Sequence, residues 1–248
     1  MAEPEAIPAA TVIVMRDVVG GAPELLMVER ARAMAFAGGA LVFPGGRVDP
    51  GDHVLAARLG GEAEETASRI AAIRETLEEA GVAVGLKIAA DAIPGVRRAV
   101  YAGTPFGALL DGADARLVLD ALIPFARWLP AGVHHKVFDT RFYLARAPED
   151  AAPLVDGNEN VRVFWASAAD VLAMADRGEA MIIFPTRRNL ERLARFGSFD
   201  AAVADAAAHP VSTVTPWIEM RNGAEHLCIP DDLGYPVTAE RLDRAIRA

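Results

Sequence analysis

Cysteine is almost absent from this chain, in which Cys228 is the single example among 248 residues. One thiol cannot form an intramolecular disulfide, so the fold must be stable without one. Because 52% of the residues are hydrophobic, the chain has enough apolar material for an ordinary core. Cys228 stands in an apolar stretch, and we expect it to be a small packed side chain rather than a reactive group.

Positive charge is also scarce. The 34 Asp and Glu residues outnumber the 25 Lys and Arg residues, which gives a formal net charge of −9. Nonspecific binding to nucleic acid needs a basic surface, so we expect no nucleic-acid partner. An acidic chain can still bind an anionic small molecule where a metal ion or local arginines reverse the field.

Long apolar runs and leader-like segments are missing as well. No run is long enough to cross a bilayer, and residues Met1 to Pro8 carry acids and prolines instead of a basic segment followed by an apolar one. The last residues, Ala245 to Ala248, do not match a Ser-Lys-Leu peroxisomal signal. We therefore expect a cytoplasmic protein without a membrane partner.

Strand-like and helix-like segments alternate along the chain, without a linker, repeat or low-complexity tract. Strands are predicted at Thr11–Arg16, Glu24–Arg30, Ala40–Phe43, Ile123–Trp128, Val137–Ala145 and Val161–Trp165, and a late hairpin at Pro216–Arg221 and Ala224–Ile229 around Asn222-Gly223. Helices are predicted at Glu62–Ala80, at Ser167–Arg177 and Thr186–Phe196 with Ser167 and Thr186 as their N-caps, and at Asp200–Ala207. Arg47–Gly61 has turn chemistry at Asp49-Pro50-Gly51-Asp52, and Ile88–Leu122 is expected to be an insertion of short helices. This order predicts one enlarged domain over residues 1–248, of the α/β or α+β class, with a mixed sheet.

The helix Glu62–Ala80 has two contrasting faces. Ile70, Ile73 and Leu77 recur at helical spacing, and Thr66 and Ala80 continue the same stripe, so this face should pack on a sheet. Glu75, Glu78 and Glu79 are three and four positions apart and share a face nearly opposite the stripe.

Those three carboxylates are placed unfavourably for stability alone. Like charges at this spacing cost a few tenths of a kcal/mol, and the macrodipole disfavours anions near the C-terminal end of a helix. A hard divalent cation such as Mg²⁺ would resolve the conflict. The alternative is a solvated acidic helix face on which Arg74 pairs with Glu78.

The neighbouring residues resemble a known motif. Gly46, five intervening residues, Asp52 and then Arg74-Glu75-Thr76-Leu77-Glu78-Glu79-Ala80-Gly81-Val82 resemble the Nudix box, G-x5-E-x7-R-E-U-x-E-E-x-G-U. The resemblance implies a Nudix-like α/β/α sandwich and a metal-dependent hydrolase of diphosphate linkages. Asp52 stands where Glu is usual, and 21 residues separate it from Arg74 instead of seven. Glu65 lies close to the usual spacing, so either acid can fill the first acidic position, and residues of about 53–65 form an insertion within the box.

Further phrases are similar to the Nudix subgroup that contains peroxisomal coenzyme A diphosphatases. They are Phe43–Asp49, Phe125–Trp128, Phe138–Phe142 and Pro185-Thr186, the last opening the late helices at about 186–208. This resemblance implies coenzyme A or an acyl-CoA as substrate. Other nucleoside diphosphate derivatives (ADP-ribose, a dinucleotide or a nucleotide sugar) are the alternative, and a Nudix-like sensor that binds a nucleotide without cutting it is a third.

The resemblance also implies roles for individual residues. Glu75, Glu78, Glu79 and the backbone carbonyl of Gly46 would hold Mg²⁺ or Mn²⁺, and Arg74 would orient Glu75 through a salt bridge. Glu159, from outside the box, is a candidate for a further metal ligand or for the base that deprotonates water, against the reading as an ordinary loop acid. Arg30, Arg32 and Arg141 are candidates for binding substrate phosphates, because a guanidinium can contact two oxygens. Nudix proteins are commonly homodimers, which is a further expectation for this chain.

Overall fold

The computed structural model describes residues 6–33, 37–130, 137–155 and 159–245. An eight-stranded mixed sheet with helices packed on both faces forms its centre, which confirms the predicted fold class. The strands are β1 (Ile7–Arg16), β2 (Glu24–Arg30), β3 (Leu41–Val42), β4 (Gly45–Arg47), β5 (Leu86–Lys87), β6 (Arg116–Leu117), β7 (Ile123–Trp128), β8 (Phe138–Arg146), β9 (Asn160–Ser167), β10 (Thr213–Val214), β11 (Trp217–Arg221), β12 (Ala224–Cys228) and β13 (Ala239–Arg241). The helices are α1 (Pro50–Leu59), α2 (Ala63–Ala80), α3 (Ile93–Tyr101), α4 (Phe106–Gly112), α5 (Ala168–Asp176), α6 (Phe184–Leu193), α7 (Phe199–Ala208) and α8 (Leu242–Ala245).

Strand β1 lies at the centre of the sheet. One edge pairs in parallel with β8 along Ile7–Met15, and the other edge is shared between β4 at Ala9–Thr11 and β2 at Met15–Arg16. Because β2 pairs with β1 only at its far end, β4 can insert beside the first half of β1. This position of β4 beside β1 brings its Gly45-Gly46 backbone against α2.

The apolar run in β1 is buried on both faces, as alternation along a central strand requires. Val12 and Val14 belong to the core beneath α2, and Ile13 and Met15 belong to the core on the opposite face, beneath α5, α6 and α7. All four side chains are almost completely inaccessible to solvent. Each such burial stabilises the fold by roughly 1.5–3 kcal/mol.

Helix α2 follows the prediction at both ends and on its apolar face. The Glu62 side chain accepts hydrogen bonds from the backbone N–H groups of Glu64 and Glu65, and Gly81 ends the helix in the left-handed conformation with φ of 68°. The predicted stripe Thr66, Ile70, Ile73, Leu77 and Ala80 is buried throughout.

Two local predictions were wrong. Arg47–Gly61 contains helix α1 instead of turns: Pro50 occupies its first position, and the Asp52 carboxylate accepts the Asp49 backbone N–H. An Asp-Pro pair starts a helix as readily as a turn, because the first helical N–H has no intrahelical acceptor. Similarly, α6 begins at Phe184 with Pro185 in its first turn, so Thr186 lies buried within the helix and does not cap it.

The inserted and C-terminal segments contain the expected elements. Within the predicted insertion, α3 and α4 lie between the paired strands β5 and β6, and α3 contacts α2. Ser167 caps α5, and the late hairpin turns at Asn222 and Gly223 with φ of 51° and 78°. Cys228 is buried in β12, as expected. No helix in the described ranges is both long and apolar enough to cross a membrane.

Candidate active site

The last two turns of α2 carry the three glutamates of the box. Glu79 is 4% exposed, and the side chains of Glu75 and Glu78 are 17% and 23% exposed. Helical periodicity predicts a face turned away from the apolar stripe, but this face is largely covered. Strand β4 and two arginines cover it. Arg74 belongs to the box itself, whereas Arg30 is distant from it in sequence.

The backbone of β4 lies directly against two of these carboxylates. The Gly45 N–H donates a hydrogen bond to Glu79 Oε2 over 3.0 Å. A Cβ on Gly46 would lie 2.4 Å from Cδ of Glu75, and a Cβ on Gly45 would lie 2.4 Å from the Ala10 carbonyl oxygen. Gly45 therefore has no room for a side chain against the backbone of β1, whereas a side chain on Gly46 would displace the Glu75 carboxylate, which lies directly beside it.

Arg74 connects Glu75 to Asp52, the residue just before the insertion within the box. Its Nη1 donates to Glu75 Oε1 over 2.8 Å, while Nε and Nη2 donate to the two oxygens of the Asp52 carboxylate over 3.1 and 2.9 Å. Nη1 also lies 3.7 Å from Glu78 Oε2. Arg74 therefore forms both expected pairs: the one with Glu78, expected for a solvated acidic helix face, and the one with Glu75, expected if it orients that carboxylate. Asp52 is 2% exposed, which makes this a buried ion pair.

Of the two candidates for the first acidic position, Asp52 is the one that contacts Arg74. Glu65 instead pairs with Arg69 at 2.9 Å and with Arg141 at 3.6 Å. Since a helix rises about 1.5 Å per residue, Glu65 lies roughly 15 Å along α2 from Glu75. The 21 residues between Asp52 and Arg74 form the rest of α1, a short connection and the first part of α2, and this path leaves Asp52 in contact with Arg74.

The buried carboxylates are unusually easy to protonate. Burial raises the pKa of Glu75 to about 7, with Arg74 opposing the shift and Glu78 adding to it. Burial likewise raises the pKa of Glu79 to about 8, supported by the charge of Glu75 and opposed by the Gly45 N–H. Desolvation and mutual repulsion both disfavour the charged forms, so a cation close by would stabilise them.

The chemistry of these donors fits a hard divalent cation. All are carboxylate or carbonyl oxygens, the ligands that Mg²⁺ and Mn²⁺ prefer. In the part of the chain that the structure describes, however, no three Asp, Glu, His or Cys side chains form a group arranged to hold an ion. Arg74 lies against Glu75 and Glu78, and Arg30 Nη1 lies 3.9 Å from Glu79. The assignment of Glu75, Glu78, Glu79 and Gly46 as ligands stays a prediction.

The three arginines expected to bind phosphate are in different surroundings. Arg30, at the end of β2, lies next to Glu79 and is largely buried. Arg32 is exposed in the following turn, and its side chain forms no ion pair with the three glutamates within the described ranges. Arg141 is held at the start of α2, where Nη1 donates to the Glu64 carbonyl and to Ser68 Oγ. Arg30 is thus the one that the fold brings to the carboxylates.

The residue after Glu159 is a site residue that the sequence did not reveal. Glu159 is exposed, and its carbonyl accepts the Ala31 N–H over 2.7 Å. Asn160, the first residue of β9, is fully buried, and its side chain hydrogen-bonds to Glu79. A polar residue at the start of an apolar strand was the available signal, but the sequence does not tell which β-strand neighbour it faces.

No protein-family model matches the chain. Among solved structures, a NUDIX hydrolase from Alicyclobacillus acidocaldarius is similar with a TM-score of 0.73 and 27% identity, over 82% of this chain and 97% of that chain. An Ap4A hydrolase from C. elegans (TM-score 0.42, 20% identity, 80% and 98% covered) and a MutT protein from Methanosarcina mazei Go1 (0.46, 14%, 79% and 97%) superpose too loosely to bear on function. The chain has the Nudix hydrolase fold, and its similarity to the A. acidocaldarius protein supports a Nudix-type hydrolase that acts on pyrophosphate bonds.

Proposed function

We propose that the chain is a Mg²⁺- or Mn²⁺-dependent diphosphatase that cleaves a nucleoside diphosphate derivative, with coenzyme A or an acyl-CoA as the first candidate. The main observation in support is the contact between the Gly45-Gly46 backbone and the carboxylates of Glu75 and Glu79. It holds two carboxylates in a largely buried place beside the Gly45-Gly46 backbone, where a cation would be strongly attracted.

The metal ligands in this proposal are Glu75, Glu78, Glu79 and the carbonyl of Gly46. A bound divalent ion supplies charge neutralisation of the diphosphate and lowers the pKa of water. Arg74 holds Glu75 in place, and Asp52 holds Arg74. Glu75 accepts the proton of the attacking water, or Glu159 does so from the neighbouring loop.

Arginines bind the phosphates of the substrate in this proposal. Two observations support Arg30: it lies beside Glu79, and its Nε has no hydrogen-bond partner among the described residues. The ion pair of its guanidinium with Glu79 is long, at 3.9 Å, so the guanidinium can bind a phosphate oxygen in place of that carboxylate. Arg32 and Arg141 are the further candidates.

Coenzyme A is preferred as substrate on the sequence resemblance alone. The supporting phrases are Phe43–Asp49, Phe125–Trp128, Phe138–Phe142 and Pro185-Thr186. ADP-ribose, dinucleotides and nucleotide sugars share the diphosphate and are the alternatives. A nucleotide sensor without catalysis is disfavoured, because binding alone does not require a buried carboxylate cluster.

A panel of diphosphate compounds distinguishes these functions. Coenzyme A, acetyl-CoA, ADP-ribose, diadenosine polyphosphates and nucleotide sugars are incubated with the chain and Mg²⁺ or Mn²⁺, and the products are identified by mass. Phosphopantetheine and adenosine 3′,5′-bisphosphate from coenzyme A support the proposal. Cleavage of other compounds alone contradicts the coenzyme A assignment, and binding without cleavage of any compound contradicts catalysis.

Removing one carboxylate charge tests the metal site directly. Glu78→Gln and Glu79→Gln keep the shape of the side chain, and we expect each to lower metal-dependent turnover by more than the roughly 10–100-fold seen when a metal site loses an outer partner. The matched control is Glu64→Gln, an exposed position on the same helix. Turnover that is unchanged in folded Glu78→Gln and Glu79→Gln proteins would show that these residues are not ligands.

A further inference from the structure

The C-terminal end of α2 has a hydrogen-bond partner for every carbonyl that the helix leaves open. The last four carbonyls of any α-helix lack intrahelical donors. Here the Gly81 N–H donates to Leu77 and the Leu154 N–H donates to Ala80, both over 2.9 Å. The carbonyls of Glu78 and Glu79, the two glutamates of the last turn, are bound by a single side chain, that of Arg97.

Arg97 reaches this place from α3, in the inserted segment. Its Nε donates to the Glu78 carbonyl over 2.9 Å, and its Nη2 donates to the Glu79 carbonyl over 3.1 Å and to the Leu154 carbonyl over 2.7 Å. The planar guanidinium suits this arrangement, because its donors point in fixed and divergent directions. Gly81 leaves room for it, since a Cβ there would lie 3.2 Å from Arg97 Nη1.

Arg97 also supplies charge that α2 lacks. The C-terminal end of a helix carries about half a negative charge, and basic residues in the last turn usually offset it. The last turn of α2 contains no basic residue, and it carries Glu78 and Glu79 instead. The guanidinium of Arg97 is therefore the cation that contacts the backbone where the acidic side chains are most crowded.

We propose that Arg97 is a positioning residue for the metal site: by binding the carbonyls of Glu78 and Glu79, it fixes the turn from which both carboxylates project. This inference rests on the proposed function. It gives the segment between β5 and β6 a role in catalysis, because Arg97 from that segment holds the last turn of α2, and Glu79 of that turn contacts β4. Arg97 acts in this role through its hydrogen bonds to backbone carbonyls.

Binding of Mn²⁺ alone tests the inference without any substrate. Free Mn²⁺ is measured by electron paramagnetic resonance during titration of the 248-residue chain. We expect Arg97→Gln to weaken Mn²⁺ binding about tenfold, the lower end of the effect of losing an outer partner of a metal site. Arg97→Lys keeps the positive charge but loses the planar arrangement of several donors, so its Mn²⁺ affinity should lie between those of the wild type and Arg97→Gln. Arg98→Gln, at an exposed position of the same helix, should bind as the wild type does.

Turnover measurements separate positioning from a merely structural role. For Arg97→Gln we expect the Mn²⁺ concentration at half-maximal activity to rise about tenfold, with kcat at saturating Mn²⁺ within about twofold of wild type. A structural role would lower the active fraction and leave the metal dependence unchanged. If Arg97→Gln does not fold, Arg97→Lys decides, and wild-type Mn²⁺ affinity in that variant overturns the inference. If the wild-type chain itself binds no Mn²⁺, the proposed function fails as well.

Discussion

At the scale of single residues, Gly46 is where the close approach of backbone and carboxylate is most restrictive. In a Gly46→Ala variant the new methyl would overlap the Glu75 carboxylate, so the carboxylate must move by about an ångström or more. A displacement of that size in a catalytic group costs about a hundredfold in rate, which is the loss we expect in metal-dependent turnover. Gly51→Ala is the control, because nothing lies within 4 Å of a Cβ there. Equal turnover in the two variants would contradict the prediction that turnover depends on the position of the Glu75 carboxylate beside Gly46.

Asp52 and Glu65 are both acids of the box region, but their surroundings predict different effects on stability. Asp52→Ala removes the bidentate partner of Arg74 inside the fold, and loss of one member of a buried pair costs about 3–5 kcal/mol. The Glu65 side chain is 31% exposed, so Glu65→Ala should cost about 1 kcal/mol or less. Urea unfolding of both variants measures the difference. A smaller loss for Asp52→Ala than for Glu65→Ala would reject Asp52 as the anchor of Arg74.

The residues of the site show which of its features are local. The crowding of Glu75, Glu78 and Glu79 follows from helical periodicity, which depends on neighbours within two turns, and so it could be predicted. The burial of Glu79 could not, because it depends on Gly45 from β4 and Asn160 from β9. Those partners are set by strand pairing between segments far apart in sequence.

Helices and strands also divide into those that nearby residues determine and those that depend on distant parts of the sequence. Helix α2 was predicted within a residue at each end, because an acidic cap and a terminal glycine mark it locally. Helix α1 was missed, since Asp49-Pro50-Gly51-Asp52 suits a turn and a helix start equally well. The strands β4 and β13 were not predicted because they have three residues each, and they are strands only through their pairing partners.

The junction between β1 and α7 gives a prediction at the scale of elements. Asp17, just after β1, accepts the Phe199 N–H over 2.7 Å and an Arg146 hydrogen bond over 2.8 Å. The Phe199 N–H, followed by Arg146, holds the pKa of Asp17 below its usual value of 3.8. A carboxylate with a lowered pKa in the folded state stabilises the fold above pH 3.8, and that contribution is lost as the pH falls through the folded-state value.

Asp17→Asn should therefore lower the free energy of unfolding at neutral pH and not in strong acid. The Asp17 side chain is 41% exposed, so the loss should be about 1 kcal/mol or less. Urea unfolding from pH 7 down through the acid range should show the two proteins converging below pH 3.8. Asp150→Asn, in an exposed turn, is the control. A constant difference at all pH values would exclude the charge of Asp17 as the cause.

At the scale of the molecule, the central sheet separates two hydrophobic cores that are built from different segments of the chain. The core beneath α2 contains the inserted helices, and the other core joins α5, α6 and α7 to the C-terminal strands through Leu227, Ile229 and Tyr235. The prediction of one enlarged domain requires these cores to unfold together. Strand β1 contributes to both, so its pairing with β8 is expected to couple them.

Tyr235 offers a test of that coupling from the C-terminal side. Its hydroxyl accepts a hydrogen bond from Trp128 Nε1 and donates one to Asn189 Oδ1, each over 3.0 Å, and all three groups are buried. Tyr235→Phe leaves two buried polar atoms without this partner, which costs about 1–3 kcal/mol. If the chain unfolds as one unit, calorimetry should show a single transition whose midpoint falls by roughly 2–4 °C per kcal/mol. Trp217→Phe, on the exposed strand β11, should leave the midpoint almost unchanged. A second transition, with only one of the two displaced by Tyr235→Phe, would instead mean that the C-terminal segment unfolds independently of helix α2.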